Sequence, residues 1–258
     1  MRILLTNDDG IHAAGFGVLQ QIAAELVSDE LGGEVWSVAP ESDQSGTAHS
    51  LTLHEPLRCR PMGERSFAVR GTPTDCVIMA VRNLMPQKPD LVLSGINHGE
   101  NAAADITYSG TIAGAIEATL LGIPAIALSL AMGGRDAASA HWETPIQHGP
   151  ALIKRLVAAT WPANVLLNVN FPDRLAAETL PAMVTRQSVH DESLWDIASR
   201  TDARGKAYFW VSYAPRIWQA PDGTDTAAIQ KGHISVTPLH LDLTHTETAA
   251  RLAAQLSS

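Results

Sequence analysis

Leu4-Leu5-Thr6-Asn7-Asp8-Asp9-Gly10 is an apolar strand that runs directly into two adjacent carboxylates and a glycine. In open α/β sheets ligands bind beyond the carboxyl ends of the strands, so a site belongs where this strand stops. Neighbouring side chains of an extended chain point to opposite faces, and both carboxylates reach one ion only if the backbone turns, which Gly10 permits. Two carboxylates this close repel each other unless a cation neutralises them. Asp and Asn oxygens suit hard ions such as Mg²⁺ or Mn²⁺. The competing reading is a polar turn in which Asp9 caps the following helix.

Working outward, short apolar runs alternate with amphipathic segments, the pattern of βαβ units and a parallel sheet covered on both faces. Ile3–Thr6, Glu34–Val38, Asp90–Ser94, Pro124–Leu130 and Asn164–Val169 read as strands. Helices are expected over Phe16–Leu26, Pro73–Met85, Thr111–Leu121 and from a Thr144-Pro145 start to Ala159. The texture changes near Pro172, where polar residues, prolines and aromatics continue without helical period to Gly232. Met183–Gln187, Ala207–Tyr213 and His233–Thr237 are strand-like there, and Glu247–Leu256 closes the chain as a helix. The expected organisation is a catalytic-sized α/β domain over 1–172 and a β-rich, helical extension over 173–258, an arm that packs on the main domain or on another subunit.

Composition narrows the classes. Lys and Arg total 18 against 27 Asp and Glu, a net charge of −9 over 258 residues, which argues against long nucleic acids and anionic membranes as partners. The polar cluster at Thr6–Asp9 comes too early for the apolar stretch of a signal peptide, and no apolar run is long enough to span a bilayer, so the expected address is the cytoplasm. Cys59 and Cys76 lack CxxC spacing and read as reduced, buried thiols. His12, His49, His54 and His98 show no metal-ligand spacing, and GxSxG, Walker A and GxGxxG are absent.

Three further segments leave strand ends or open helices. Glu41-Ser42-Asp43-Gln44-Ser45-Gly46-Thr47, dense in hydroxyls, follows the second strand and reads as a turn or a ligand loop. Ser94-Gly95-Ile96-Asn97-His98-Gly99-Glu100-Asn101 leaves the third. Tyr108-Ser109-Gly110-Thr111 opens a helix and offers hydroxyls, backbone amides and the positive end of the dipole to an anion. Gly71-Thr72-Pro73-Thr74-Asp75 is explained as a helix start.

These segments, in order, resemble the stationary-phase survival protein (SurE) family of metal-dependent nucleotide phosphatases. The likeness begins at Asn7-Asp8-Asp9-Gly10 and continues through Ala39-Pro40, Ser45-Gly46, Ser50-Leu51-Thr52, Gly71 to Val77, Ser94 to Asn97 and Tyr108 to Thr111. In the tail it takes in Gly223-Thr224-Asp225, Gly232, Ser235 to Leu239 and Asp242-Leu243-Thr244. The resemblance implies a Rossmann-like three-layer α/β/α domain with a mostly parallel sheet, and an arm used in homodimer or homotetramer contacts. It implies one divalent ion per subunit, Mg²⁺ or Mn²⁺, on Asp8, Asp9, Ser45 and Asn97. Asn101, Ser109, Gly110 and Thr111 would line the phosphate site. The implied reaction is that of a 5′-nucleotidase: hydrolysis of nucleoside 5′- and 3′-monophosphates, with short-chain polyphosphate as a further substrate. Ala14 stands where the family often has proline and Ala103 where it often has glycine, the second within the approach to the phosphate.

On this reading Asp8 and Asp9 are the catalytic pair, holding the ion and orienting the attacking water, while the helix start at Ser109–Thr111 stabilises the phosphoryl oxygens. Direct attack by Asp8 would define an aspartyl-phosphate phosphatase of haloacid dehalogenase type, but that class needs Asp-x-Asp and residue 10 is Gly. A receiver-like, ion-binding signalling module is the non-enzymatic alternative; it needs an Asp at the third strand's end, where this chain has Ser94-Gly95-Ile96-Asn97.

Overall fold

The computed structural model of the chain describes residues 1–28, 33–189, 195–213 and 219–257. Its centre is a sheet built from β1 (Arg2–Thr6), β2 (Glu34–Pro40), β3 (Arg58–Gly63), β4 (Ser66–Arg70), β5 (Leu91–His98), β6 (Ala125–Leu130), β7 (Val165–Phe171), β8 (Leu180–Val184) and β11 (His233–His240). The nine strands lie in the order β3-β4-β2-β1-β5-β6-β7-β11-β8. The run from β4 to β7 is parallel throughout. β3 pairs antiparallel with β4, and β11 antiparallel with β7. Strand order reverses between β1 and β5, which makes their carboxyl ends the switch point where such sheets bind ligands.

The period-two alternation of β1 assigns its side chains to two separate cores. Ile3 and Leu5 pack with Phe16, Leu19 and Ile22 of α1 (Ala14–Val27) and Leu152 and Ile153 of α4 (Glu143–Ala159). Leu4 packs on the other face with Cys76 and Val77 of α2 (Pro73–Met79) and Ile112 and Ala115 of α3 (Gly110–Leu120). The result is a three-layer α/β/α arrangement, as the alternating pattern implies. Among the described residues, no helix is long and apolar enough to cross a membrane.

Several expectations need correction. The helix expected over Pro73–Met85 is α2 followed by a π-helical turn, Ala80–Leu84. The Thr72 hydroxyl and the Asp75 carboxylate form a reciprocal capping box, so the reading of this segment as a helix start holds. Thr144 does not cap α4: the helix begins one residue earlier after Trp142, and the Thr144 hydroxyl donates instead to the Arg174 carbonyl. β5 does not leave the sheet at Ser94 but continues to His98 through a bulge between Ser94 and Asn97. Asp9 does not cap α1, whose N-cap is Ala13 without a side-chain bond. Cys76 is buried, whereas Cys59 on edge strand β3 is partly exposed. β3 and β4 carry no alternation strong enough to be read in advance.

The segment after 172 is shared between two places. β8 and β11 extend the main sheet, with β8 shifted toward the N-terminus from the expected Met183–Gln187, and α5 (Asp225–Lys231) precedes β11. β9 (Trp195–Thr201) and β10 (Ala207–Tyr213) form a separate antiparallel hairpin, and α6 (Thr246–Leu256) ends the described chain with none of its residues buried.

Candidate functional site

The backbone bends at Asp8 and Asp9 where β1 ends, and Gly10 adopts φ +98°, the left-handed conformation that returns the chain toward α1. Asn7 holds the bend by donating Nδ2–H to the Gly10 carbonyl at 2.8 Å, while its Oδ1 is buried without a protein partner. Asp8 is 4% exposed. Its Oδ1 accepts the Thr111 hydroxyl, and the Thr111 backbone N–H adds a further bond, so the carboxylate lies against the first turn of α3. That approach requires residue 110 to be glycine: a Cβ there would sit 2.7 Å from Asp8 Cβ. Asp9 accepts the His98 backbone N–H at 3.3 Å, which ties the end of β1 to the end of β5.

The electrostatics follow from this packing. Burial raises the Asp8 carboxyl above its usual range against the pull of the Thr111 bonds. Asp9 is pushed up to about 7 by burial and then by the Asp8 charge beside it. Asp43 adds repulsion to both. The bonding partners of the pair are neutral donors, so what this pocket lacks is positive charge.

Asn97 donates Nδ2–H to the Gly99 carbonyl at 2.8 Å, an orientation that leaves Oδ1 as its outward acceptor. The bulge in β5 is what re-aims this residue relative to the strand's alternation. The Ser45 loop is docked by Gln44 N–H on the Asp8 carbonyl at 2.8 Å and by Ala48 N–H on the Tyr108 carbonyl at 3.3 Å. Ser45 itself is exposed; its N–H and hydroxyl both donate to Asp43 Oδ1, at 2.7 and 2.6 Å, and its oxygen lone pairs remain for another partner. Ser45 makes no bond to Asp8 or Asp9, and its approach to them is through its loop alone.

Ser109 caps α3, accepting the Ile112 N–H at 3.0 Å, and Ser109, Gly110 and Thr111 are all buried. Capping leaves the Ser109 hydroxyl proton free to donate and the dipole's positive end directed at Asp8. Asn101 is buried as well, with Nδ2–H on Ser129 Oγ at 2.8 Å and its backbone bound to Asn168 and Asn170 of β7. Asn168 lies in the expected strand Asn164–Val169, which carries no expected site role, and Asn170 just beyond its expected end. Their signal was available, since Asn168 and Asn170 alternate with Leu167 and Val169 at the strand's carboxyl end. Asp43 and the His98 backbone are the other participants not singled out in advance.

Among the described residues no three His, Cys, Asp or Glu side chains gather into a metal cluster. The donors here are of a different mix, two carboxylates with an amide and a hydroxyl. That oxygen set suits a hard divalent ion, and the buried Asp8 beside the half-buried Asp9, with the unpartnered Asn7 Oδ1 close by in sequence, fits one. A cavity of about 620 Å³ lies beside α3, lined mainly by apolar side chains such as Ile112, Ile116, Leu166, Leu239 and Leu241 but also by Ser109, Gln187 and His240; neither Asp8 nor Asp9 lines it.

A doubly wound α/β protein with an acidic pocket at its switch point, faced by a helix N-terminus, is the class that fold and site define. Residues 3–193 match the family model described as survival protein SurE. The chain is 52% identical over 253 residues to the 5′-nucleotidase SurE of Parvibaculum lavamentivorans, covering 98% of this chain and 90% of the relative. It is 55% identical over 259 residues to the 5′-nucleotidase SurE of Brucella canis, covering 99% and 98%. The crystal structure of the SurE protein from Aquifex aeolicus superposes with a TM-score of 0.83 at 38% identity over 99% of both chains. The chain belongs to the SurE family.

Proposed function

We propose that this chain is a divalent-metal-dependent phosphomonoesterase that hydrolyses nucleoside 5′- and 3′-monophosphates to nucleoside and phosphate, with short-chain polyphosphate as a further substrate. Relatives that cover nearly the whole chain bear the name 5′-nucleotidase. The observation that carries the reading is Asp8, buried against the first turn of α3, with the half-buried Asp9 beside it: two acids without a countercharge next to a dipole that attracts anions. Asp8, Asp9, Ser45 and Asn97 would hold one Mg²⁺ or Mn²⁺ per subunit. Bound there, the ion neutralises the acidic pair and supplies a Lewis acid for a phosphoryl oxygen.

The chain's own groups do the rest. A phosphate dianion approaching a protein of net charge −9 needs local positive potential, and the α3 N-terminus with the Ser109 hydroxyl provides it. Ser109, Gly110, Thr111 and the Asn101 amide would hold the phosphoryl oxygens as charge develops on them. Asp8 is engaged by two donors from Thr111, which supports a ligand's role for it over a nucleophile's. Asp9, the freer of the two, would orient a water molecule for in-line attack on phosphorus; as the new P–O bond forms the water gives up a proton to solvent, the P–O bond to the nucleoside breaks and the leaving oxygen takes a proton from solvent.

Small molecules rather than long nucleic acids or membranes are the partners that this charge favours, in the cytoplasm. The remaining partner is a second copy of the chain in a homodimer or homotetramer, supported by the apolar side chains that the arm displays: Phe209 and Trp210 of β10 and Leu252 and Leu256 of α6 are all exposed. Release of inorganic phosphate from nucleoside monophosphates, measured with Mn²⁺, with Mg²⁺ and with EDTA, tests the proposal. Metal-dependent release supports it; full activity in EDTA overturns the metal, and no release with any metal overturns the reaction.

A further inference from the structure

The phosphate-site segment between β5 and α3 is held from outside itself, at two residues in turn. Asn101 donates its backbone N–H to Asn170 Oδ1 at 2.8 Å, and its carbonyl accepts Asn168 Nδ2–H at 2.7 Å and Asn170 Nδ2–H at 3.1 Å. Two residues later, the Ala103 N–H donates to Asp225 Oδ2 at 3.0 Å and the Ala103 carbonyl accepts Gln187 Nε2–H at 2.7 Å. The first pair of restraints comes from the sheet, the second wholly from the chain beyond residue 172.

Ala103 needs such a restraint. Its φ is +52°, the left-handed region that a residue with a Cβ avoids. It also starts the single 3₁₀ turn Ala103–Thr107, whose first N–H has no partner within the turn. Asp225 supplies that partner. Its carboxylate is 0% exposed, and beyond Ala103 it accepts from Ser188 N–H at 2.9 Å, the Ser188 hydroxyl and Thr226 N–H at 2.7 Å. These donors are neutral N–H and O–H groups, and a carboxylate buried among donors is anchored rigidly, because each bond is charge-assisted. An isolated ion pair would leave it freer to move.

We infer that Asp225, assisted by Gln187, is a positioning residue for the phosphate site: it holds Ala103 in the left-handed conformation and thereby sets Asn101 on one side and Ser109–Thr111 on the other. Without the carboxylate, Ala103 relaxes to negative φ, and the segment 101–108 re-threads between its two fixed ends. Asp225 touches neither substrate nor the reacting atoms. The inference rests on the reading of Asn101 and Ser109–Thr111 as phosphate-binding, and it makes the extension a structural part of that site.

The test uses the full-length, metal-loaded protein and the variants Asp225→Asn, Gln187→Ala and Ala103→Gly. In Asp225→Asn, KM for a nucleoside monophosphate and the inhibition constant for inorganic phosphate should both rise about tenfold, with the Mn²⁺ affinity within about twofold of wild type because Asp8 and Asp9 are untouched. Amide hydrogen exchange over 101–108 should quicken, a readout that needs no activity. Adding Ala103→Gly, which enters the left-handed region without a clamp, should recover most of the lost phosphate affinity. A merely structural Asp225 would lower the melting temperature while leaving KM and phosphate inhibition unchanged below it, and that result overturns the inference, as does a double variant no better than Asp225→Asn. If Asp225→Asn does not fold, Gln187→Ala decides: a rise of about threefold in the phosphate inhibition constant supports the clamp, and an unchanged constant overturns it. Wild-type protein that releases no phosphate refutes the proposed reaction instead, and hydrogen exchange then still reports on the clamp.

Discussion

The carboxyl edge of β1 and β5 and the exposed flank elements of the extension, the β9–β10 hairpin and α6, are deficient in opposite ways. At the edge, polar groups are buried and most are bonded, yet two acids lie together with neutral donors alone, and the deficit is charge. On the flank, polar groups are solvated, but Ile197, Phe209, Trp210, Leu252 and Leu256 stand exposed, and the deficit is apolar cover. On the proposed reading the two regions take different complements, an ion for the first and a second protein surface for the second. Perturbing one should leave the other intact.

The largest effect is expected at the acidic edge. Asp8→Asn should lower metal-dependent phosphate release by on the order of 10³-fold or more while the circular dichroism spectrum and oligomeric state stay as in wild type. Gly110→Ala is the next step down. Its Cβ would press on Asp8 Cβ at 2.7 Å, so Asp8 must shift, and a loss of about 10–100-fold in kcat/KM is expected without change in assembly.

The flank should respond in the converse way. Replacing Leu252 and Leu256 by Asp should shift sedimentation toward a smaller species, with activity per subunit retained within about threefold. Unchanged sedimentation would mean that α6 is not part of the assembly surface.

The smallest effect is on stability, and it has a definite sign. Because Asp9 titrates at about 7 in the folded protein and near 3.8 when unfolded, the folded state keeps a proton that the unfolded state has lost between those values. Metal-free protein should therefore lose stability as pH rises from about 4 to 7, by on the order of 2–4 kcal/mol from Asp9. Asp9→Asn should reduce that slope to what the raised Asp8 carboxyl contributes, and denaturant titrations across the range read it directly.

How much of this was legible in the sequence depends on how far apart the partners lie. Asp8, Asp9 and Gly10 are read from one strand end, and Ser109–Thr111 from one helix start, because strand termini and caps are local events. The Thr72–Asp75 capping box is local too, and it also explains Ser50-Leu51-Thr52: Thr72 Oγ1–H donates to the Ser50 carbonyl and Thr52 Oγ1–H to Asp75, so those residues anchor the Ser45 loop. The bulge that carries β5 past Ser94 was not legible, since it depends on pairing with β6. Nor was the bond from Asp225 to Ala103, 122 residues apart. The left-handed φ of Ala103 is the physical reason glycine would suit this position, and the Asp225 bond is what holds alanine in it. The helix that starts before Thr144 shows the limit of local rules from the other side: a sound N-terminal signal was overridden by a hydrogen bond to Arg174.

Calorimetric titration of metal-free protein with Mn²⁺, run on wild type and on Asp8→Asn, tests the central claim most directly. A stoichiometry of one ion per subunit in wild type, lost in Asp8→Asn along with phosphate release, is the predicted result. Binding of unchanged stoichiometry and affinity in the variant would place the ion elsewhere and contradict the account.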